Sequence, residues 1–74
     1  AEGREILLRF AAALEQLPPE QQDAVLLRDV HGLTVKEVAE RLGRTEKAAA
    51  GLLARGRLAM RAAFPDYAGD ADRG

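Results

Sequence analysis

Residues 32–60 read "GLTVKEVAERLGRTEKAAAGLLARGRLAM", and this stretch decides the fold. Val35, Val38, Ala39 and Leu42 fall at i, i+3, i+4 and i+7, one apolar face of a helix. Ahead of them Thr34 and Glu37 have the spacing of a capping box, in which hydroxyl and carboxylate satisfy free amides at the helix start. Gly43 stops that helix and Thr45 is placed to cap the next. The second stripe is Ala49, Leu52, Leu53, Gly56, Met60, Ala63 and Phe64. It predicts a helix to about residue 63, roughly 28 Å long at the α-helical rise, ended by Pro65. A short helix, a turn at Leu42-Gly43-Arg44 and a longer helix make a helix-turn-helix over about residues 34–63. Ala39 is small where the two helices must approach, and Ala49 and Leu52 point inward. The centre of the second helix, "AAAGLLA", carries no charged or hydrogen-bonding side chain, although such a helix normally faces DNA.

Upstream, Ile6, Phe10, Leu14 and Leu17 recur at helical spacing and predict a first helix over about residues 4–16. "LPPE" ends it, since a residue before proline is pushed out of the α region, and Pro19 suits the first turn of the next helix. That helix, about 20–31, carries Ala24, Val25, Leu26, Leu27 and Val30, apolar on more than one side as in a central helix. Gly32 fits the left-handed position that closes it, and His31 reads as a surface histidine of its last turn. The expected fold is all-α, a small four-helix domain over residues 1–64 containing a helix-turn-helix. The residues after it, "PDYAGDADRG" (65–74), read as a flexible acidic tail.

Composition narrows the function. The chain has no Ser, Cys, Asn or Trp, and its hydroxyls are Thr34, Thr45 and Tyr67. An activated nucleophile beside a base cannot be assembled from these, and a lone His31 cannot seed a zinc or iron site. Neither an enzyme nor a metal or cofactor site is expected. No apolar run approaches the roughly 20 residues that span a bilayer, and no signal peptide is recognised, so no membrane partner is expected and the reading is cytoplasmic. The net charge of −1 hides a strong polarity. Residues 1–30 set three cations against six acids, residues 31–64 seven against three, and residues 65–74 one against three. A basic middle between acidic ends is the footprint expected for a polyanion partner.

Residues 17–61 carry a resemblance through "LPPEQQDAVLLRDVHGLT", "EVAERLG", Thr45 and "LLARGRLAMR", in that order and without gaps. They resemble the C-terminal region 4 domain of a bacterial RNA polymerase sigma factor, of the extracytoplasmic-function type within the sigma-70 family. The resemblance implies a small helical bundle, winged-helix-like in plan, whose recognition helix binds the promoter −35 element in the major groove. It also implies contact with the flap of the polymerase β subunit and masking by an anti-sigma factor. The sequence departs from the family where Lys-Ser usually follows the inward residue, since Ala50-Gly51 stand there. Ala54 likewise replaces a histidine or other polar residue.

With Ala49, Leu52 and Leu53 inward, Thr45, Glu46, Lys47, Ala50 and Gly51 face outward at the helix start, beside Arg44 in the turn. Lys47 or Arg44 can donate to guanine, and Glu46 can accept from a cytosine amine. Thr45 and the helix-start amides suit a phosphate. Ala50 and Gly51 let the backbone approach the groove or meet a thymine methyl. Lys36, Arg41, Arg55 and Arg57 are candidates for phosphate positioning. Against each stands a plainer role: Thr45 as a cap, Glu46 as a favourable charge at the helix start, Arg57 and Arg61 as solvated cations. Two other functions fit the pattern. One is a protein-interaction module whose Ala-rich face, with Leu58 and Ala62, docks on an anti-sigma factor, the polymerase or a second copy. The other is a response-regulator output domain of the LuxR type, which shares the four-helix plan but begins with a different signature.

Overall fold

A computed structural model describes residues 2–65 and Tyr67. Helix α1 spans Glu2–Glu15 and α2 spans Pro19–Val25, continuing as a π-helical segment over Leu26–Val30. Helix α3 spans Val35–Leu42 and α4 spans Glu46–Ala63, with no strand among the described residues.

Local chemistry sets the boundaries. Pro18 is extended (φ −57°, ψ 151°) and Pro19 opens α2, while Gln22 Nε2 donates to the Leu17 carbonyl at 2.9 Å and ties the link to the helix it starts. Both halves of the capping box form. The Glu37 amide donates to Thr34 Oγ1 at 3.1 Å, and the Thr34 amide donates to Glu37 Oε1 at 2.8 Å. Gly43 takes φ +65°, the left-handed conformation that closes α3, and the Arg44 amide turns back to the Ala39 carbonyl at 2.9 Å. Thr45 Oγ1 accepts from the Ala48 amide at 3.0 Å and starts α4.

The second helix departs from the expected α-helix over 20–31. After Val25 it widens, and the His31 amide donates to the Leu26 carbonyl five residues back, at 3.0 Å. The Leu33 amide reaches the Leu27 carbonyl at 3.0 Å, and Gly32 reverses the chain at φ +76°. Arg28 Nη1 donates to the Leu33 carbonyl at 2.8 Å and stitches the turn to the segment before it. Val30, expected among the core residues of this helix, is exposed.

Two apolar clusters hold the helices together. Ala24, Val38, Ala39, Ala49, Leu52 and Leu53 make the core of the helix-turn-helix, with Leu27, Leu33, Val35 and Leu42 partly buried around it. Ala13, Leu17, Val25, Met60 and Phe64 join α1 to α2 and the end of α4, flanked by Phe10, Leu14, Ala59 and Tyr67. Gly56 sits at the crossing of α2 and α4. A Cβ there would lie 2.8 Å from Val25 Cγ2, so only glycine lets the helices approach this closely. Ala63, placed on the inner stripe from its spacing, is exposed.

Helix α1 is packed only along its second half. Ile6 remains 53% exposed, and Leu7 and Leu8 are also exposed, so the expected stripe holds from Phe10 to Leu17 and its first member stands clear of the body. Beyond α4, the expected tail falls largely outside the described residues. Tyr67 does not behave as tail. Its ring lies 5.8 Å from Phe10 and 6.3 Å from Phe64, and its amide donates to the Phe64 carbonyl at 2.9 Å.

Candidate nucleic-acid interface

The turn after α3 and the first two turns of α4 form one exposed surface. Arg44, Thr45, Glu46, Lys47 and Ala50 are exposed, Gly51 is half-buried, and Ala54 and Arg55 continue the surface one turn on. The apolar residues of "AAAGLLA" divide cleanly. Ala49, Leu52 and Leu53 are buried in the core, while Ala50 and Ala54 face out. Thr45 uses its hydroxyl oxygen and carbonyl to accept from the Ala48 and Ala49 amides. That leaves the Glu46 and Lys47 amides at the positive end of the helix dipole for an anion. Lys36 on the first turn of α3 and Arg41 on its last are exposed.

Gly51 and Arg55 act as a pair. The Arg55 guanidinium lies back over Gly51, with Nη1 3.5 Å from where a Cβ would stand. The guanidinium thereby brings the next outward cation back toward the helix start.

Two of the expected DNA contacts are engaged inside the protein. Arg44 grips the carboxylate of Glu20 at the start of α2. Its Nε donates to Oε2 at 2.9 Å and its Nη2 to the same carboxylate, which raises the guanidinium pKa through hydrogen bond and charge. Arg57 is a correction to the sequence reading. It is 8% exposed, neither on the outer face as a phosphate contact nor solvated. Its Nε donates to Asp29 Oδ2 at 3.2 Å and its Nη2 to Asp29 Oδ1, and the Asp29 side chain is 5% exposed. The Tyr67 hydroxyl donates to the same carboxylate. Burial, then the Asp29 acceptor, hold the Tyr67 phenol well above its ordinary pKa. The π-helical segment therefore carries the acid that anchors α4, and a buried charge is accepted because Arg57 and Tyr67 donate to it.

Glu20, Asp29 and Tyr67 are the residues that sequence reasoning missed at this site. Their partners lie 24, 28 and 38 residues away, beyond any periodic pattern. One signal for Arg57 was legible: it follows Leu53 by four residues and precedes Met60 by three, which puts it on the inward face.

A short capped helix, a glycine turn and a long helix with an exposed start define a helix-turn-helix DNA-binding domain. Residues 7–60 match the family model described as Sigma-70, region 4, and the chain belongs to that family. Domains of this family bind the promoter −35 element and RNA polymerase and are not catalytic. No curated protein and no solved structure matches the chain. Membership decides between the two helix-turn-helix classes that share this plan, and the response-regulator reading falls away. No helix among the described residues is long and apolar enough to cross a membrane.

Proposed function

We propose that this chain is the −35-binding domain of an extracytoplasmic-function sigma factor, with the start of α4 as its reading head. The observation that carries this is the exposed, capped helix start, where Lys47, Glu46 and the Arg55 guanidinium over Gly51 share one outward surface. In this reading Glu46 and Lys47 meet base edges, Ala50 meets a thymine methyl, and Lys36, Arg41 and Arg55 hold phosphates that set the register. Thr45 orders the helix start, and its hydroxyl hydrogen remains available to a phosphate. The β flap of RNA polymerase and an anti-sigma factor are the protein partners, met on other faces.

Fluorescence anisotropy with GGAAC-type −35 duplexes and scrambled controls, repeated over salt concentration, tests it. A preference for the −35 duplex that falls with Lys47→Ala is expected. Weak, sequence-independent binding untouched by Lys47→Ala would sink the reading.

One observation favours a second role. Leu58 is 65% exposed on α4, beside exposed Ala54 and Ala62, and Val35, Ala50, Leu53, Ala54, Arg57 and Arg61 line a shallow depression next to it. A domain that works chiefly by protein contact would use this face, and Leu58→Asp would then abolish partner binding while leaving DNA affinity intact.

A further inference from the structure

The Arg44–Glu20 pair bears on how the DNA is read, an inference that rests on the −35-binding reading above. Arg44 stands immediately before the Thr45 cap, at the mouth of α4, and Glu20 is in the first turn of α2. The two side chains are 46% and 47% exposed, so the pair is accessible to a ligand at the helix start.

Two consequences follow from elementary chemistry. First, the carboxylate cancels the local charge, so Arg44 brings little net cation to a phosphate. The counterion release that drives backbone contacts depends on that charge. Second, a guanidinium has five N–H donors in a rigid fork. Glu20 takes the edge made by Nε and Nη2, which leaves the Nη1 end of the fork to point elsewhere. A neutralised but fixed and donor-rich group suits a base edge better than a phosphate. The planar fork matches guanine O6 and N7.

We propose that Glu20 is a positioning residue for base readout, holding Arg44 at the start of the recognition helix so that its remaining donors meet a guanine. Glu20 acts only through Arg44. The competing possibility is that Glu20 merely occupies Arg44 until a phosphate displaces it, and the two differ in measurable ways.

The test uses the whole chain and anisotropy titrations against a −35 duplex and a set carrying one base-pair change each, at several salt concentrations. Circular dichroism confirms that each variant is folded, which both exposed positions favour. Arg44→Ala is expected to lose discrimination at one G·C pair by about 5- to 150-fold, and the double variant Glu20→Gln/Arg44→Ala, which leaves no bare carboxylate at the helix start, to keep the wild-type dependence of log K on log salt. Arg44→Lys keeps the charge but not the fork, and is not expected to restore that discrimination. Glu20→Gln is expected to lose most of the discrimination at the same pair, while all duplexes bind more tightly and the salt slope steepens by about one. The proposal is overturned if Glu20→Gln keeps full discrimination there, or if the double variant keeps that discrimination while binding all duplexes more weakly with a salt slope flatter by about one. A wild-type chain that prefers the −35 duplex without these effects refutes only this proposal. One with no preference at all refutes the functional reading with it.

Discussion

Arg55 and Arg57 stand two residues apart on α4 and have different surroundings. Arg55 is exposed over Gly51, whereas Arg57 is sealed against Asp29 beneath Tyr67. Removing Arg57 takes away the guanidinium that balances the buried Asp29 carboxylate, so Arg57→Ala is expected to destabilise the domain by about 3–5 kcal/mol. Small domains have only about 5–15 kcal/mol in total, so urea denaturation should show the midpoint moved far toward lower urea. Arg55→Ala should leave the denaturation midpoint nearly unchanged and weaken DNA binding alike for all sequences. Tyr67 gives a second check, helped by its being the chain's sole tyrosine in a protein without tryptophan. Its folded pKa is raised above the unfolded value of about 10. Its contribution to stability is therefore fully present below about pH 10 and lost as pH rises through the folded pKa. An ultraviolet titration should find tyrosinate forming only above the range of a free tyrosine, and a normal curve would show that the hydroxyl is not held by Asp29. At this scale the sequence was partly legible. Helical spacing put Arg57 inward, but its acid is chosen by the angle between α2 and α4, which no local pattern encodes.

The recognition helix owes its boundaries to its caps and its seating to its glycines. Thr45→Ala removes the acceptor for the Ala48 amide and is expected to cost about 1 kcal/mol. Gly56 and Gly51 should respond to alanine with opposite signs. At 56 the new methyl would meet Val25 Cγ2 at 2.8 Å, and Val25 is fully buried and cannot yield. Overpacking of this kind costs about 1–3 kcal/mol and outweighs the helix-propensity gain of about 1 kcal/mol. At 51 the methyl would make ordinary contact with the Arg55 guanidinium at 3.5 Å, so the propensity gain of up to about 1 kcal/mol should remain. Paired thermal melts of Gly51→Ala and Gly56→Ala check this. Equal shifts would contradict the seating described. The capping box, the left-handed glycines and the extent of α3 and α4 were legible because they depend on neighbours within four residues. The π-helical segment was not, since its apolar residues have the spacing of an ordinary helix and its widening is stitched by Arg28 to Leu33.

Across the whole molecule, the sequence predicted an acidic front and a basic middle, and the fold joins them. Acids of the front, Glu20 and Asp29, hold Arg44 and Arg57 of the middle, so part of the apparent polarity is spent on internal pairing. The outward cations of the proposed interface are then Lys36 and Arg41 on α3 and Lys47 and Arg55 on α4. Helix α1 was legible as a helix but not as a half-packed one, because nothing in its own spacing tells how far a partner reaches. If DNA enters at the start of α4, titrating isotope-labelled protein with a −35 duplex should move backbone amide resonances most over residues 44–51 and at Arg55, with Ile6 to Leu8 and Val30 unmoved. Shifts centred on Leu58 and Ala62, or spread evenly over the surface, would contradict it.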